Sequence, residues 1–186
     1  MVSRNSVINI CKHELGHWLT AQHYNDAPEY IEINGGPNGL SGNSYSVPRP
    51  DLPSKASVLE FLKKRIAVLI AGVVSETYKR DFSPEQLQDL YVTTAAVDVE
   101  RSYVLLHMAR GIQFSGKMSE KNQQQQLDRI HQECWDRAEK IISKNSDKIE
   151  YLAIKMADKF LSSSSGTYKF TKPELLGFIA DFKKKT

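Results

Sequence analysis

His13, Glu14 and His17 follow one another as His-Glu-x-x-His within the stretch HELGH. Residues four apart on a helix lie on one face, so both imidazoles can point at a single cation with Glu14 beside them. The chemistry this allows is metal-assisted hydrolysis. A zinc ion lowers the pKa of a water to about 7 and polarises a carbonyl, and the glutamate takes up the water's proton. The plainer alternative is a pair of histidines that merely share a helical face. Two imidazoles do not hold a catalytic metal alone, so a third ligand has to come from elsewhere in the chain.

Three residues compete for that place. His23 stands at the distance from His13 found in HExxHxxGxxH, but the glycine that would end the helix and swing the third histidine back is Thr20 here. On an unbroken helix His23 faces away, about 240° round from His17, which predicts an exposed or capping histidine. Glu76 follows Leu69 by seven and Val73 by three, on the inward stripe of a later helix. A carboxylate turned inward needs a partner, either a metal or the free ring nitrogen of a ligand histidine. Asp98 lies in the first turns of a third helix and heads a stripe with Ser102, Leu105, Ala109 and Ile112. An aspartate is favoured at a helix start with no metal present. Spacing does not separate Glu76 from Asp98.

These residues need elements to carry them. Val7, Ile10, Leu15, Trp18 and Leu19 predict a helix from Ser3 or Ser6 into the low twenties, with HELGH in its middle. The alternating run EYIEIN, the turn-rich GGPNGLSGN and then SYSVP predict a hairpin or paired strands around Tyr30 to Val47. Leu62, Ile66, Leu69 and Val73 mark a core helix. Ser83 and Pro84 open a short helix or turn, and Thr93 or Thr94 is placed to cap the helix that bears Asp98. Leu127 to Met156 describes one long or two consecutive amphipathic helices, which LSSSSG breaks, and Thr171 with Glu174 has capping-box spacing before a last helix. The expectation is a mainly α fold of six or seven helices with one small β element.

The chain has 186 residues, enough for one domain with a full core, with residues 1–120 carrying the metal site and 121–186 a helical C-terminal part. A net charge of +3, with its basic residues spread out apart from Lys183 to Lys185, leaves no footprint for nucleic acid. The first ten residues carry no secretory pattern, and the longest apolar stretch, Ile66 to Val74, is too short to span a bilayer. The expected location is the cytoplasm, without membrane insertion. Cys11 and Cys134 form no CxxC pair and read as small buried hydrophobes.

Four later segments follow HELGH in a recognisable order: AGVVSETY from Ala71, TTAAVD ending at Asp98, GKMSE from Gly116, and the amphipathic RAEKIISKNSDKIEYLAIKM. In this the chain resembles the peptidase domain of the FtsH-type AAA zinc proteases over nearly its whole length. That family joins HEAGH to AGRxAEE, TGAxxD, a GMSE-like stretch and closing helices. The resemblance implies that Asp98 is the third zinc ligand with His13 and His17, that Glu14 is the general base, and that Glu76 orients a ligand histidine. It also implies that the strand Tyr30, Ile31, Glu32, Ile33 and Asn34 is the edge on which extended substrate docks, a main-chain pairing that tolerates many sequences. Val73, Thr94 and Val97 depart from the family's arginine, glycine and frequent asparagine, and Thr94 predicts a differently shaped loop before Asp98. No GxxxxGK[ST] is present. The implied activity is therefore zinc-dependent endopeptidase action on unfolded or flexible polypeptides, with a separate AAA unfoldase as partner or the chain as part of a longer protein. A monomer or weak oligomer is expected. The competing expectation is a catalytically silent binding or regulatory module of the same fold.

Overall fold

The computed structural model describes residues 3–36, 39–116, 119–163 and 165–184, and among them it has six helices and three strands. The fold is mainly α with a small antiparallel sheet, as the periodicities predict. Helix α1 (Arg4–His23) starts at Ser3, whose hydroxyl accepts the Ser6 N–H at 3.0 Å. Its Val7, Cys11, Leu15 and Trp18 recur at helical spacing and are fully buried.

Helix α2 (Lys55–Thr77) opens with a Ser54–Ser57 capping box and is buried without interruption from Ile66 to Glu76. A helix with no polar face over that span has to be surrounded, and α1, α4 and α5 all pack on it. The approach of α1 is close. A Cβ on Gly16 would stand 2.2 Å from the Ala71 carbonyl oxygen and 2.7 Å from Ser75 Cβ, so only glycine lets the two backbones meet there. Ser75 then donates its hydroxyl to the Lys12 carbonyl at 2.7 Å, tying the helices together just before His13.

Helix α3 (Pro84–Val92) is capped by Ser83 with Pro84 in its first turn, as expected. Helix α4 (Ala96–Gln113) is not capped by Thr93 or Thr94: its N-cap is Ala95, without a side-chain cap. Thr93 turns back instead and donates its hydroxyl to the Asp89 carbonyl at 2.6 Å, closing α3. No residue from 93 to 95 has a positive φ, so this loop reaches Asp98 without glycine at position 94. Helix α5 (Glu120–Ser162) is one continuous helix of 43 residues. Neither glycine nor proline interrupts it, and the polar residues 143–148 between its two apolar runs stay helical.

The strands are β1 (Pro28–Gly36), β2 (Gly39–Ser46) and β3 (Thr167–Thr171), in the order β2-β1-β3. Tyr30 pairs with Tyr45 on one side and Thr171 on the other, and Asn34 with Ser41 and Thr167. This corrects the expectation that Tyr30 to Asn34 is an edge: both sides of β1 are taken, leaving no ladder for an added strand. Strand β3 has no counterpart among the expected elements. Helix α6 (Lys172–Lys183) begins at Thr171, but the predicted capping box does not form. Glu174 Oε1 instead takes Lys159 Nζ and the Tyr168 hydroxyl.

One buried core draws on α1, α2, α4, α5, α6 and the inward residues Ile31, Ile33 and Phe170 of the sheet. No helix among the described residues is long and apolar enough to cross a membrane. Pro37 and Asn38 of the turn-rich stretch, Lys117 and Met118 of GKMSE, Ser164 of LSSSSG and Lys185 of the basic tail lie outside the described residues.

Candidate metal centre

His13 and His17 stand one turn apart on α1 and are 1% and 7% exposed. Each ring is fixed through its Nδ1. His17 Nδ1 lies 2.7 Å from the Val68 carbonyl oxygen, and His13 Nδ1 lies 3.2 Å from Glu76 Oε2, both on α2. A carbonyl only accepts, so His17 carries a hydrogen on Nδ1, and Glu76 is placed to hold one on His13 Nδ1 whenever Nε2 is given to a cation. Both Nε2 atoms are thereby left on the side of the rings that faces Asp98.

The two Nε2 atoms converge on one carboxylate. Asp98 Oδ2 is 3.2 Å from His13 Nε2 and 3.1 Å from His17 Nε2, and the three donor atoms lie within 4.8 Å of one another. Two imidazole nitrogens and a carboxylate oxygen aimed at one point make a donor set for a divalent cation, and the hydrogen bonds behind the rings are of the kind that orient metal ligands. His13, His17 and Asp98 thus form a group able to hold a metal ion. No other group of three such side chains occurs among the described residues. Helix α2 passes the two rings with bare backbone: a Cβ on Gly72 would lie 2.5 Å from His17 Nε2 and 2.6 Å from His13 Nε2.

The local field favours positive charge between the rings. Burial alone would depress the pKa of His13, but hydrogen bonds to the Asp98 and Glu76 carboxylates outweigh it and raise it to about 10. Burial likewise works against ionised Asp98, yet the imidazoles of His17 and His13 hold it well below the usual carboxylate range. Glu14 goes the other way. It is 4% exposed, and burial pushes its carboxyl up despite the two imidazoles beside it.

Glu14 faces a cleft of about 480 Å³ whose lining also includes His17 and Asp98. One wall is β2, from Leu40 to Ser44, and the other is the start of α4 with Thr93, Thr94 and Val97. Strand β2 passes directly over the glutamate. A Cβ on Gly42 would stand 2.6 Å from Glu14 Cγ and Oε1, and the Ser44 backbone works against the rise in the Glu14 pKa.

The structure brings together His13, Glu14, His17, Asp98 and Glu76, with Glu76 on the far side of the His13 ring from Asp98. It leaves His23 out, exposed at the end of α1 with its ring against Tyr24. It also leaves out Tyr30 to Asn34: Ile31 and Ile33 are buried in the core, and Tyr30 stacks on Tyr45. Gly42, the Val68 carbonyl and Arg101 join the expected residues at this site. Of these only Gly42 carries a signal, a glycine inside a strand where another group approaches closely. No protein-family model and no curated protein matches the chain.

Proposed function

We propose that the chain is a zinc-dependent metalloendopeptidase that hydrolyses unfolded or flexible polypeptides in the cytoplasm. The observation that carries this reading is the convergence of two imidazole nitrogens and one carboxylate oxygen beside a cleft-facing glutamate. His13, His17 and Asp98 would hold the ion. Zinc suits such a nitrogen and oxygen set, and when bound it supplies polarisation of the peptide carbonyl and a water acidified to a pKa of about 7.

The chain's own residues do the rest. Glu14, which faces the cleft beside the candidate ligands, takes up the water's proton and returns it to the departing amine. Glu76 and the Val68 carbonyl keep the imidazoles turned. Extended substrate lies along β2, whose outer side pairs with no strand among the described residues. Main-chain pairing there would serve many sequences. The resemblance of HELGH, AGVVSETY and TTAAVD to the FtsH-type peptidases supports the same assignment. These 186 residues contain no P-loop, so folded substrates require an AAA unfoldase outside them.

Elemental analysis with digestion of an unfolded protein such as casein tests the proposal. The expected result is about one zinc per chain, the count an HExxH site takes, together with digestion. Glu14→Gln should keep the zinc and lose about 10²- to 10⁴-fold in rate. Zinc without digestion in the unaltered chain would favour the silent binding module; neither zinc nor digestion would remove both readings.

A further inference from the structure

Two arginines line the cleft beside the candidate metal centre. Arg65, on α2, is committed: its Nη1 donates to Asp26 Oδ2 at 3.2 Å and lies 3.4 Å from Ser46 Oγ. Arg101, on α4, makes no ion pair and no side-chain hydrogen bond among the described residues, and it is exposed. It follows Asp98 by three residues and so stands one turn further along the same helix face. Asp98, the acid on the same helix face, is already engaged with two imidazoles. The cleft wall therefore presents one guanidinium that is unpaired among the described residues.

The geometry points to Arg101 as a specificity-determining residue that binds a carboxylate of the polypeptide lying in the cleft. A guanidinium offers a planar fork of donors and no acceptor, and carboxylate oxygens match that fork two at a time. A polypeptide has two sources of such a group, an Asp or Glu side chain and its own C-terminus. The first gives a preference within a chain, the second a preference for chain ends. The inference rests on the reading of the cleft as a polypeptide site, and its test separates the two.

Three fluorescent peptides of otherwise identical sequence are titrated into the purified Glu14→Gln chain and followed by anisotropy: an internal Glu with an amidated end, an internal Gln with an amidated end, and an internal Gln with a free carboxylate. One of the two carboxylate peptides should bind about fivefold tighter than the neutral one, the size of a favourable exposed ion pair. Which of them gains identifies the source. Added Arg101→Ala should abolish the difference, and Arg101→Lys, which keeps the charge without the fork, should leave part of it. High salt should shrink it. Equal affinities for the three peptides, no binding, or a preference that survives Arg101→Ala would overturn the inference. A preference that depends on Arg101 in a chain that digests nothing would leave the carboxylate site standing and remove the peptidase; digestion without the preference would do the reverse.

Discussion

His13, Glu14 and His17 are legible in the sequence because their relation is local: one helical turn sets it, and the letters alone give it. The third member is different. Glu76 and Asp98 both lie on inward faces of later helices, and what distinguishes them is which nitrogen of the His13 ring each one meets. That is a tertiary fact with no one-dimensional trace, and in the sequence only the resemblance of TTAAVD to the FtsH-type segment points to Asp98. If Glu76 acts through His13, Glu76→Gln keeps the shape and an acceptor for Nδ1 but removes the charge. Zinc affinity measured by competition with a chromophoric chelator should then fall about 10- to 100-fold. An unchanged affinity would leave Glu76 as a buried side chain with no part in holding the metal.

At the scale of elements, the helices follow from their spacing, whereas the sheet order does not. Strand β1 alternates apolar and polar residues as a half-buried strand does, and nothing in that pattern says how many neighbours it has. Its second neighbour, β3, is five residues after a serine run, too short for alternation to stand out. The consequence is functional, because the strand beside Glu14 is β2 rather than β1. Gly42 is where β2 presses on the glutamate, so Gly42→Ala should displace the carboxylate while leaving the three candidate ligands alone. The expected outcome is retained zinc and a kcat lowered about 100-fold, the usual cost of misplacing a catalytic group by an ångström. Gly177→Ala, where a Cβ would meet nothing within 4 Å, serves as the control and should change neither.

For the whole molecule, the candidate ligands come from α1 and α4, which both pack against α2, so a bound ion would cross-link the centre of the fold. An ion that binds only the folded chain stabilises it by about 2.7 kcal/mol at a hundred times its Kd, which for a domain of this size raises Tm by roughly 5–10 °C. Thermal melts with zinc and with a chelator should differ by that amount; coincident melts would mean that no ion joins these helices. The sheet has a consequence in time as well. A ribosome that has released residues 28–46 has finished only the hairpin, and the remaining flank of β1 stays bare until residues 167–171 emerge. A chain stopped after Ser162 keeps that flank permanently, an invitation to intermolecular pairing. It should sediment as aggregate under conditions in which the intact polypeptide remains in the supernatant.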